Sequence, residues 1–277
     1  MKSLILFIAL FLVGCGSGSG SGGSEDINSK KIKEPSGLLI SKKYPDVLWT
    51  HNDSGDDAYI YAISAKDLEL IKKVKIKKAD NVDWEDISYL GDQIVIGDFG
   101  NNNSDRDDLK LYIVNEPDPY KGDGDVKIRD EIDFIFSDQK DYDKHYQNFD
   151  CEALFSYDNT LYLLSKHHED SATTLYKIVP KDDLADKILD YDFGSIVTGA
   201  DSDGTRIAVL TKDALYLLIP SGMSDNIFDG DIYKKDISTL GQVEGVAIGS
   251  DYIKIIDEES SVYRYSIESV IAAQHIQ

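Results

Sequence analysis

Three glutamates recur at matching positions, each near the start of a β-like run. They are Glu85 in Asp-Trp-Glu-Asp-Ile, Glu152 in Asp-Cys-Glu-Ala-Leu and Glu244 in Gln-Val-Glu-Gly-Val. Carboxylates that converge on one point repel one another unless a proton or a cation intervenes. A hard cation such as Ca²⁺ suits a site made of oxygen ligands. The recurrence predicts a carboxylate-lined cation site, or else side chains that bind backbone amides and fix the packing of neighbouring strands.

A second group of polar residues follows the next β-like run of each unit. Its members are Asn52, Asp53, Asp98, Lys166, His167, Lys212 and Asp257. Loops at one face of a rigid scaffold commonly carry binding residues. We expect Asp53, Asp98 and Asp257 to help the glutamates hold a metal. The ligand-binding candidates are the three glutamates with Asn52, Lys166 and His167, although an exposed Lys-His-His sequence is also typical of solvated surface.

The units that carry these residues repeat along the chain. An apolar-Tyr pair occurs five times, ending at Tyr61, Tyr112, Tyr176, Tyr216 and Tyr263. A period of about 40–50 residues with four strands per unit is typical of a β-propeller. The chain is therefore predicted to be all-β with five blades, or six if the long second unit hides a degenerate blade. The tyrosines are expected to pack between blades.

The first strand of each blade lines the central tunnel in such a fold, which places the three glutamates there. Ser36 is expected at the matching position of the first unit and Asp201 in the degenerate fourth unit. Residues 27–32 could add an outer strand to the last blade and close the ring, which removes exposed sheet edges. Short helices are predicted only at 184–189 and 267–276.

The N-terminus predicts export. Lys2 precedes an apolar run over residues 4–13, and Leu12-Val13-Gly14-Cys15 leads into a Gly/Ser tract. This resembles the bacterial lipoprotein signal, whose cysteine is acylated after cleavage. The run is shorter than the roughly 20 residues of a membrane-spanning helix. An ordinary secretory signal with a chance cysteine is the alternative.

On the lipoprotein interpretation the chain has three parts. Residues 1–14 are a cleaved signal, residues 15–30 are the acylated cysteine and a flexible tether, and residues 31–277 are one propeller domain. The protein is then expected in the bacterial cell envelope, anchored to a membrane by lipid and facing outside the cytoplasm. If Cys15 carries lipid, Cys151 has no disulfide partner, and its apolar neighbours predict a buried thiol.

The charge of the chain excludes a class of partners. The net charge is −22, and loss of residues 1–14 removes Lys2 and no acid, which makes it −23. Nucleic acid binding needs clustered lysines and arginines, so no nucleic acid partner is expected. The same argument predicts that acyl chains, rather than a basic patch, attach the protein to the membrane. We expect a monomer.

A group of motifs supports a family comparison. They are Glu34-Pro-Ser-Gly37, Asn52-Asp53-Ser54-Gly55, Asp83-Trp84-Glu85-Asp86 and Gly97-Asp98-Phe99-Gly100-Asn101-Asn102, then Arg106 and Glu116-Pro117. Together they resemble a largely uncharacterised set of bacterial secreted propeller proteins. The chain is more distantly similar to phytase-like, esterase-like and gluconolactonase-like propellers. That resemblance implies acidic residues and metals at the central tunnel, but the dense aspartate motifs of propeller phytases are absent.

Two functions are consistent with these observations. One is a membrane-anchored binding or scaffold module stabilised by a divalent cation, with a protein or small-molecule ligand. The other is a metal-dependent hydrolase of phosphoesters or lactones. The sequence contains no Gly-rich phosphate loop, nucleophile elbow or His-Glu-x-x-His motif, so it leaves open whether the protein is an enzyme.

Overall fold

The computed structural model describes residues 24–142, 148–168 and 170–277. These residues are mainly β-strand, and within them the one α-helix is α1 (Ile267–Ile271). No helix in the described ranges is both long enough and apolar enough to cross a bilayer.

The strands follow one another in groups of four. After β1 (Glu25–Asp26), the first group is β2 (Pro35–Ile40), β3 (Val47–Asn52), β4 (Tyr59–Ser64) and β5 (Leu70–Lys77). The second is β6 (Trp84–Leu90), β7 (Gln93–Asp98), β8 (Lys110–Asn115) and β9 (Asp125–Asp133), followed by β10 (Ile135–Phe136). The third is β11 (Asp150–Tyr157), β12 (Thr160–Lys166), β13 (Ala172–Val179) and β14 (Leu184–Asp192). The fourth is β15 (Val197–Ser202), β16 (Ile207–Thr211), β17 (Ala214–Ile219) and β18 (Asp231–Asp236). The last strands are β19 (Val243–Ile248), β20 (Tyr252–Asp257) and β21 (Ser261–Ser266).

Each group is an antiparallel meander whose first strand lies innermost. The first two groups form one eight-stranded sheet because their outermost strands, β5 and β9, pair in parallel. Strand β10 likewise pairs in parallel with β14 of the third group. The innermost strands contact one another in the order β2, β6, β11, β15 and β19, and β19 contacts β2 again. A closed ring of four-stranded meanders around an axis is a β-propeller.

Both ends of the described chain cover sheet edges. Strand β1 pairs with β21, so a segment from before the first meander completes the last sheet. An outer strand that closes the ring against the last sheet is thus present, as expected. It is formed by Glu25 and Asp26 rather than by residues 27–32. After α1, the backbone N–H of Ile276 donates to the Ile232 carbonyl and that of Ile232 donates to the Gln277 carbonyl, which covers the outer edge of β18.

Hydrophobic side chains fill the spaces between neighbouring meanders. Trp49 of β3 and Trp84 of β6 belong to one buried cluster between the first two groups. The repeated tyrosines occupy these spaces as predicted: Tyr61, Tyr112, Tyr176 and Tyr216 are buried in clusters, and Tyr263 packs against one. The sheets are therefore held together mainly by apolar burial.

Two local predictions had different outcomes. The helix predicted for 184–189 is wrong, because this segment lies in β14 and pairs with β13 at every residue except the bulged Ile188. Its polar residues Lys187, Asp190 and Asp192 are exposed whereas its apolar residues are buried or half-buried, as on an outer strand that faces solvent on one side. The helix predicted for 267–276 is confirmed over Ile267–Ile271, where the Ser266 side chain accepts a hydrogen bond from the Ser269 N–H and caps it.

Candidate functional site

A β-bulge near the start of each innermost strand positions the site. In β6, β11 and β19 the extra residue is Glu85, Glu152 and Glu244, respectively. In β15 the extra residue is Thr198, and in β2 it is Gly37, so Gly37 rather than the expected Ser36 matches the glutamates in the first meander. A bulge re-aims a side chain without ending the sheet, so all three glutamates turn toward the same end of the ring. The predicted convergence of these residues is observed.

These side chains line one cavity of about 260 Å³. Its acidic residues are Glu34, Asp53, Asp83, Glu85, Glu152, Glu244 and Glu258. Lys166 and Lys212 also line it, as does Ser36 of the first meander. Seven carboxylates against two lysines give the cavity a strongly negative potential, which attracts cations.

The first of two carboxylate groups in this region is Glu85, Asp150 and Glu152, whose oxygens lie within 4.8 Å of one another. This group is compensated by neighbours. Lys166 Nζ lies 2.5 Å from Glu152 Oε1 and 4.0 Å from Asp150 Oδ2. His168 Nε2 lies 2.8 Å from Asp150 Oδ2, and a backbone N–H donates to Oδ1 at 2.7 Å. The protein therefore supplies its own cation and donors here.

The second group is Asp53, Asp83 and Glu85, again with oxygens within 4.8 Å of one another. We call it the Asp53–Asp83–Glu85 triad. Asp53 Oδ1 accepts from the Ser54 N–H at 2.5 Å. Across the described ranges, no donor hydrogen-bonds the carboxylate of Asp83 or Glu85. Glu85 is only 7% exposed, and no described donor or ion-pair partner contacts its carboxylate directly, since Lys166 pairs with Glu152 and acts on Glu85 only through space.

The electrostatics of the triad follow from this arrangement. Burial raises the pKa of Asp83 to about 6, with the charges of Asp53 and Asp150 adding to the effect. Burial also raises the pKa of Glu85 well above its ordinary value, and the neighbouring charges of Glu152 and Asp83 raise it further. Without a cation, these groups take up protons to relieve the repulsion.

Gly100 gives the triad the room it needs. A Cβ at this position would lie 2.1 Å from Glu85 Oε1 and 2.4 Å from Asp83 Oδ2. The two carboxylates therefore converge directly over the Gly100 Cα. Its N–H also donates to the Asp83 carbonyl at 3.1 Å, which ties the loop after β7 to the strand that carries the acids.

Glu244 lies in the cavity but outside both carboxylate groups. Burial raises its pKa to about 7, and the neighbouring Glu258 contributes. It therefore holds a proton at a pH where an exposed glutamate is ionised.

The other two metal-ligand predictions lie outside the cavity lining. Asp98 forms an ion pair with Arg106 at 3.0 Å, and its Oδ1 accepts from the Asp83 N–H at 3.1 Å. Asp257 accepts from the Ser261 N–H and the Tyr263 hydroxyl, both at 2.8 Å. Both carboxylates are occupied in holding loops, so the structure gives them a positioning role.

Two of the ligand-binding candidates also point elsewhere. The Asn52 amide donates to Asp56 Oδ2 at 2.8 Å and to the Lys31 carbonyl at 3.1 Å, beside a neighbouring cavity. His167 is buried, with Nδ1 2.9 Å from Asp170 Oδ1 and Nε2 3.1 Å from Thr174 Oγ1. Of the ligand-binding candidates, the cavity retains the three glutamates and Lys166.

The packing role considered for the glutamates belongs instead to two deeper aspartates. Asp86 Oδ2 accepts from the backbone N–H groups of Leu154 at 2.8 Å and Ala200 at 3.2 Å, which joins β6 to β11 and β15. Asp201 Oδ2 accepts from the Ile248 N–H at 2.9 Å. The expectation that Asp201 matches the glutamates is wrong, since Thr198 occupies that position.

Sequence reasoning missed Asp83 and Asp150 as members of the site. Both precede a site glutamate by two residues, in Asp83-Trp-Glu85 and Asp150-Cys-Glu152. This repeated Asp-x-Glu spacing was the available signal. Cys151, between two of them, is a buried free thiol as predicted. Cys15 lies outside the described residues.

Comparison with known proteins establishes the fold alone. No family model matches the chain, and no curated protein matches its sequence. Among solved structures, the major Malassezia sympodialis allergen Mala s 1 aligns with a TM-score of 0.60 at 12% identity, covering 92% of this chain and 98% of that chain. Glutaminyl cyclase from Myxococcus xanthus aligns with a TM-score of 0.52 at 9% identity, covering 87% and 91%. The chain is thus similar to known β-propellers and distant from each in sequence.

Proposed function

We propose that this chain is an exported, lipid-anchored propeller of five blades that binds a divalent cation in its acidic cavity and serves as a binding module. The observation that carries the cation is the Asp53–Asp83–Glu85 triad. Glu85 is buried there without a donor among the described residues, while the adjacent group is compensated by Lys166 and His168. A cation is the group that makes this arrangement favourable in the charged state.

The donor chemistry favours Ca²⁺. The triad offers carboxylate oxygens only, whereas zinc prefers nitrogen and sulfur ligands. Ca²⁺ accepts six to eight oxygens in flexible geometry, and water in an open cavity can supply the remainder. Mg²⁺ needs a stricter octahedron, so it should bind less tightly.

The number of blades rests on the contacts of the innermost strands. Strands β2, β6, β11, β15 and β19 follow one another around the axis. The eight-stranded sheet then counts as two blades joined through β5 and β9. Each of the hydrophobic clusters also lies between two consecutive meanders, which supports the same number.

The lipid anchor rests on the Leu-Val-Gly-Cys15 sequence at the end of the apolar run. We expect Cys15→Ala to accumulate as unprocessed precursor or to lose membrane association, because the acylated thiol is gone. Membrane fractionation with mass spectrometry of the N-terminus checks this. A fully processed variant that still fractionates with membranes would contradict the anchor.

Thermal melting tests the cation. The full chain in detergent is melted with calcium, magnesium or chelator. A ligand that binds only the folded state adds about 2.7 kcal/mol at a hundredfold excess over its dissociation constant, or about 5–10 °C for a chain of this size. Calcium should give this shift in the wild type and in Asp92→Asn, whose exposed acid lies in the turn between β6 and β7, at the opposite end of β6 from Glu85.

Glu85→Gln is the test variant, and it should lose most of the calcium response. A wild-type melting temperature that is the same with calcium, magnesium and chelator would remove the cation from the proposal.

A hydrolase at the same cavity is the second candidate. Lys166 and Lys212 line the cavity beside the carboxylates, so an anionic group could contact a lysine and a bound cation together. A panel of esters, lactones and phosphoesters, assayed with calcium and with chelator, separates the two functions. Calcium-dependent turnover that Lys166→Met abolishes would favour the enzyme. Calcium binding without turnover favours the binding module.

A further inference from the structure

Four lysines surround a second cavity on this acidic protein. Lys30, Lys31, Lys33 and Lys73 line a space of about 320 Å³ next to the β3–β4 loop. The first three are exposed and follow β1 directly, and Lys73 is half-buried in β5. We call this the lysine cavity. A cluster of four lysines is unexpected in a chain with a net charge of −22. Three of them lie near the start of the described residues.

The lysines are free to meet an external anion. None of the four forms an ion pair with another described residue, unlike Lys110, Lys177 and Lys187, which all have carboxylate partners. Lys73 Nζ lies 3.7 Å from the centre of the Tyr59 ring, which holds its ammonium group at the cavity wall.

The four lysines outnumber the three acids on the wall of the lysine cavity, which are Glu34, Asp53 and Asp56. Asp56 Oδ2 accepts from the Asn52 amide and from the Tyr61 hydroxyl at 2.7 Å. Asp53 belongs to both cavities, and the proposed cation would offset its charge. Glu34 is the remaining carboxylate of the wall.

The lysine cavity lies close to the proposed anchor in the sequence. Lys30 follows Cys15 by 15 residues, and the Gly/Ser tract 16–24 makes up most of the interval. Nine such residues span roughly 15–18 Å on average as a flexible chain and roughly 30 Å when extended. Lys30, Lys31 and Lys33 are therefore the first cationic side chains along the sequence after the proposed anchor.

The charges close to the lysine cavity, rather than the net charge of the chain, determine how strongly an anionic membrane attracts it. At physiological ionic strength the screening length is about 8 Å, so carboxylates on the far side of the ring do not reach the lysine cavity. Each lysine near an anionic membrane strengthens association about fivefold. The net charge of −22 is a sum over the whole chain, and the lysine cavity is a local exception to it, so the expectation that acyl chains alone attach the protein does not hold at this place on the surface.

We propose that the lysine cavity binds the phosphate groups of anionic phospholipids and so docks the propeller on the membrane that holds its lipid anchor. This inference rests on the proposed acylation of Cys15. It adds a second, electrostatic contact to the anchor and a fixed orientation, with the lysine cavity facing the lipid.

The test uses the acylated full chain in nanodiscs of phosphatidylglycerol with phosphatidylcholine, or of phosphatidylcholine alone. Labelling by an amine-reactive reagent is followed at each lysine by mass spectrometry. Lys30, Lys31, Lys33 and Lys73 should react at least fivefold more slowly in the anionic discs, and molar salt should abolish this difference. The exposed Lys127 and Lys181 are matched controls and should react equally in both.

Variants and a soluble anion complete the test. Joint replacement of Lys30, Lys31 and Lys33 by glutamine should remove the protection of Lys73, whereas Lys127→Gln should leave it. Equal labelling in both discs, with the chain still anchored, would overturn the docking proposal alone. Release of the chain from both discs would overturn the anchor, and the docking with it. Protection by inorganic phosphate without protection by anionic discs would show a small-anion pocket and overturn the lipid assignment.

Discussion

Gly100→Ala perturbs the geometry of the triad without removing a charge. The new Cβ would lie 2.1 Å from Glu85 Oε1 and 2.4 Å from Asp83 Oδ2, so the Glu85 oxygen must retreat by roughly 1–1.3 Å and the Asp83 oxygen by roughly 0.6–1 Å to reach an acceptable contact. Calcium–oxygen distances span only about 2.3–2.6 Å, so such a retreat removes both carboxylates from a shared ion.

The expected magnitude follows from the binding linkage. If the displacement weakens calcium binding tenfold to a hundredfold, the stabilisation at the same calcium concentration falls from about 2.7 to about 1.4–0.4 kcal/mol. The side chains that move are flexible at their ends, and Gly100 has no left-handed φ. The free energy of unfolding in chelator should therefore change by less than about 1 kcal/mol.

Urea unfolding of the full chain in detergent measures the free energy of unfolding in chelator and, by difference, the stabilisation that calcium adds. Gly91→Ala is a poor control because its φ of +60° is strained for alanine. Asp92→Asn in the same turn serves instead. A Gly100→Ala variant that keeps the whole calcium response would refute the convergence of Asp83 and Glu85 on one ion.

The remaining predictions concern packing and pH. Asp86→Ala should lower the free energy of unfolding by about 3–5 kcal/mol, because it leaves the buried N–H groups of Leu154 and Ala200 without an acceptor. Asp86→Asn, which keeps one oxygen, should lose less in the same urea titration, and a loss below about 1 kcal/mol for alanine would contradict the packing role. The pKa of Glu244 is raised from 4.5 to about 7, so the native state holds a proton that the unfolded chain releases. Its contribution should therefore make calcium-free stability fall as pH rises from 4.5 to about 7, and Glu244→Gln should make that decline shallower. An unchanged pH profile in melting experiments would refute this role.

The sequence contained enough information to predict the ring and the convergence of its glutamates. The five apolar-Tyr runs and the recurring Glu85, Glu152 and Glu244 are repeated features, and a repeat keeps equivalent residues at equivalent places. The bulges that turn these glutamates into the cavity were not visible, because a bulge depends on the pairing register with the next strand.

The composition of the triad was harder to predict. Asp98 and Asp257 follow their strands as Asp53 does, yet Arg106 and the Tyr263 hydroxyl draw the first two away. Arg106 lies in the loop after β7 and Tyr263 lies in β21, so the spacing of the aspartates alone does not reveal these partners. The distribution of charge on the surface was equally hard to predict. A net charge of −22 does not reveal that four lysines surround one cavity.

The most direct test of the central claim is the calcium stoichiometry of the purified full chain after equilibrium dialysis. Asp83 belongs only to the proposed triad, whereas Glu152 belongs only to the compensated group. We predict one tightly bound calcium per chain in the wild type and in Glu152→Gln, and none in Asp83→Asn. A wild type without calcium, or an Asp83→Asn variant that retains it while Glu152→Gln does not, would contradict the assignment of the cation to Asp53, Asp83 and Glu85.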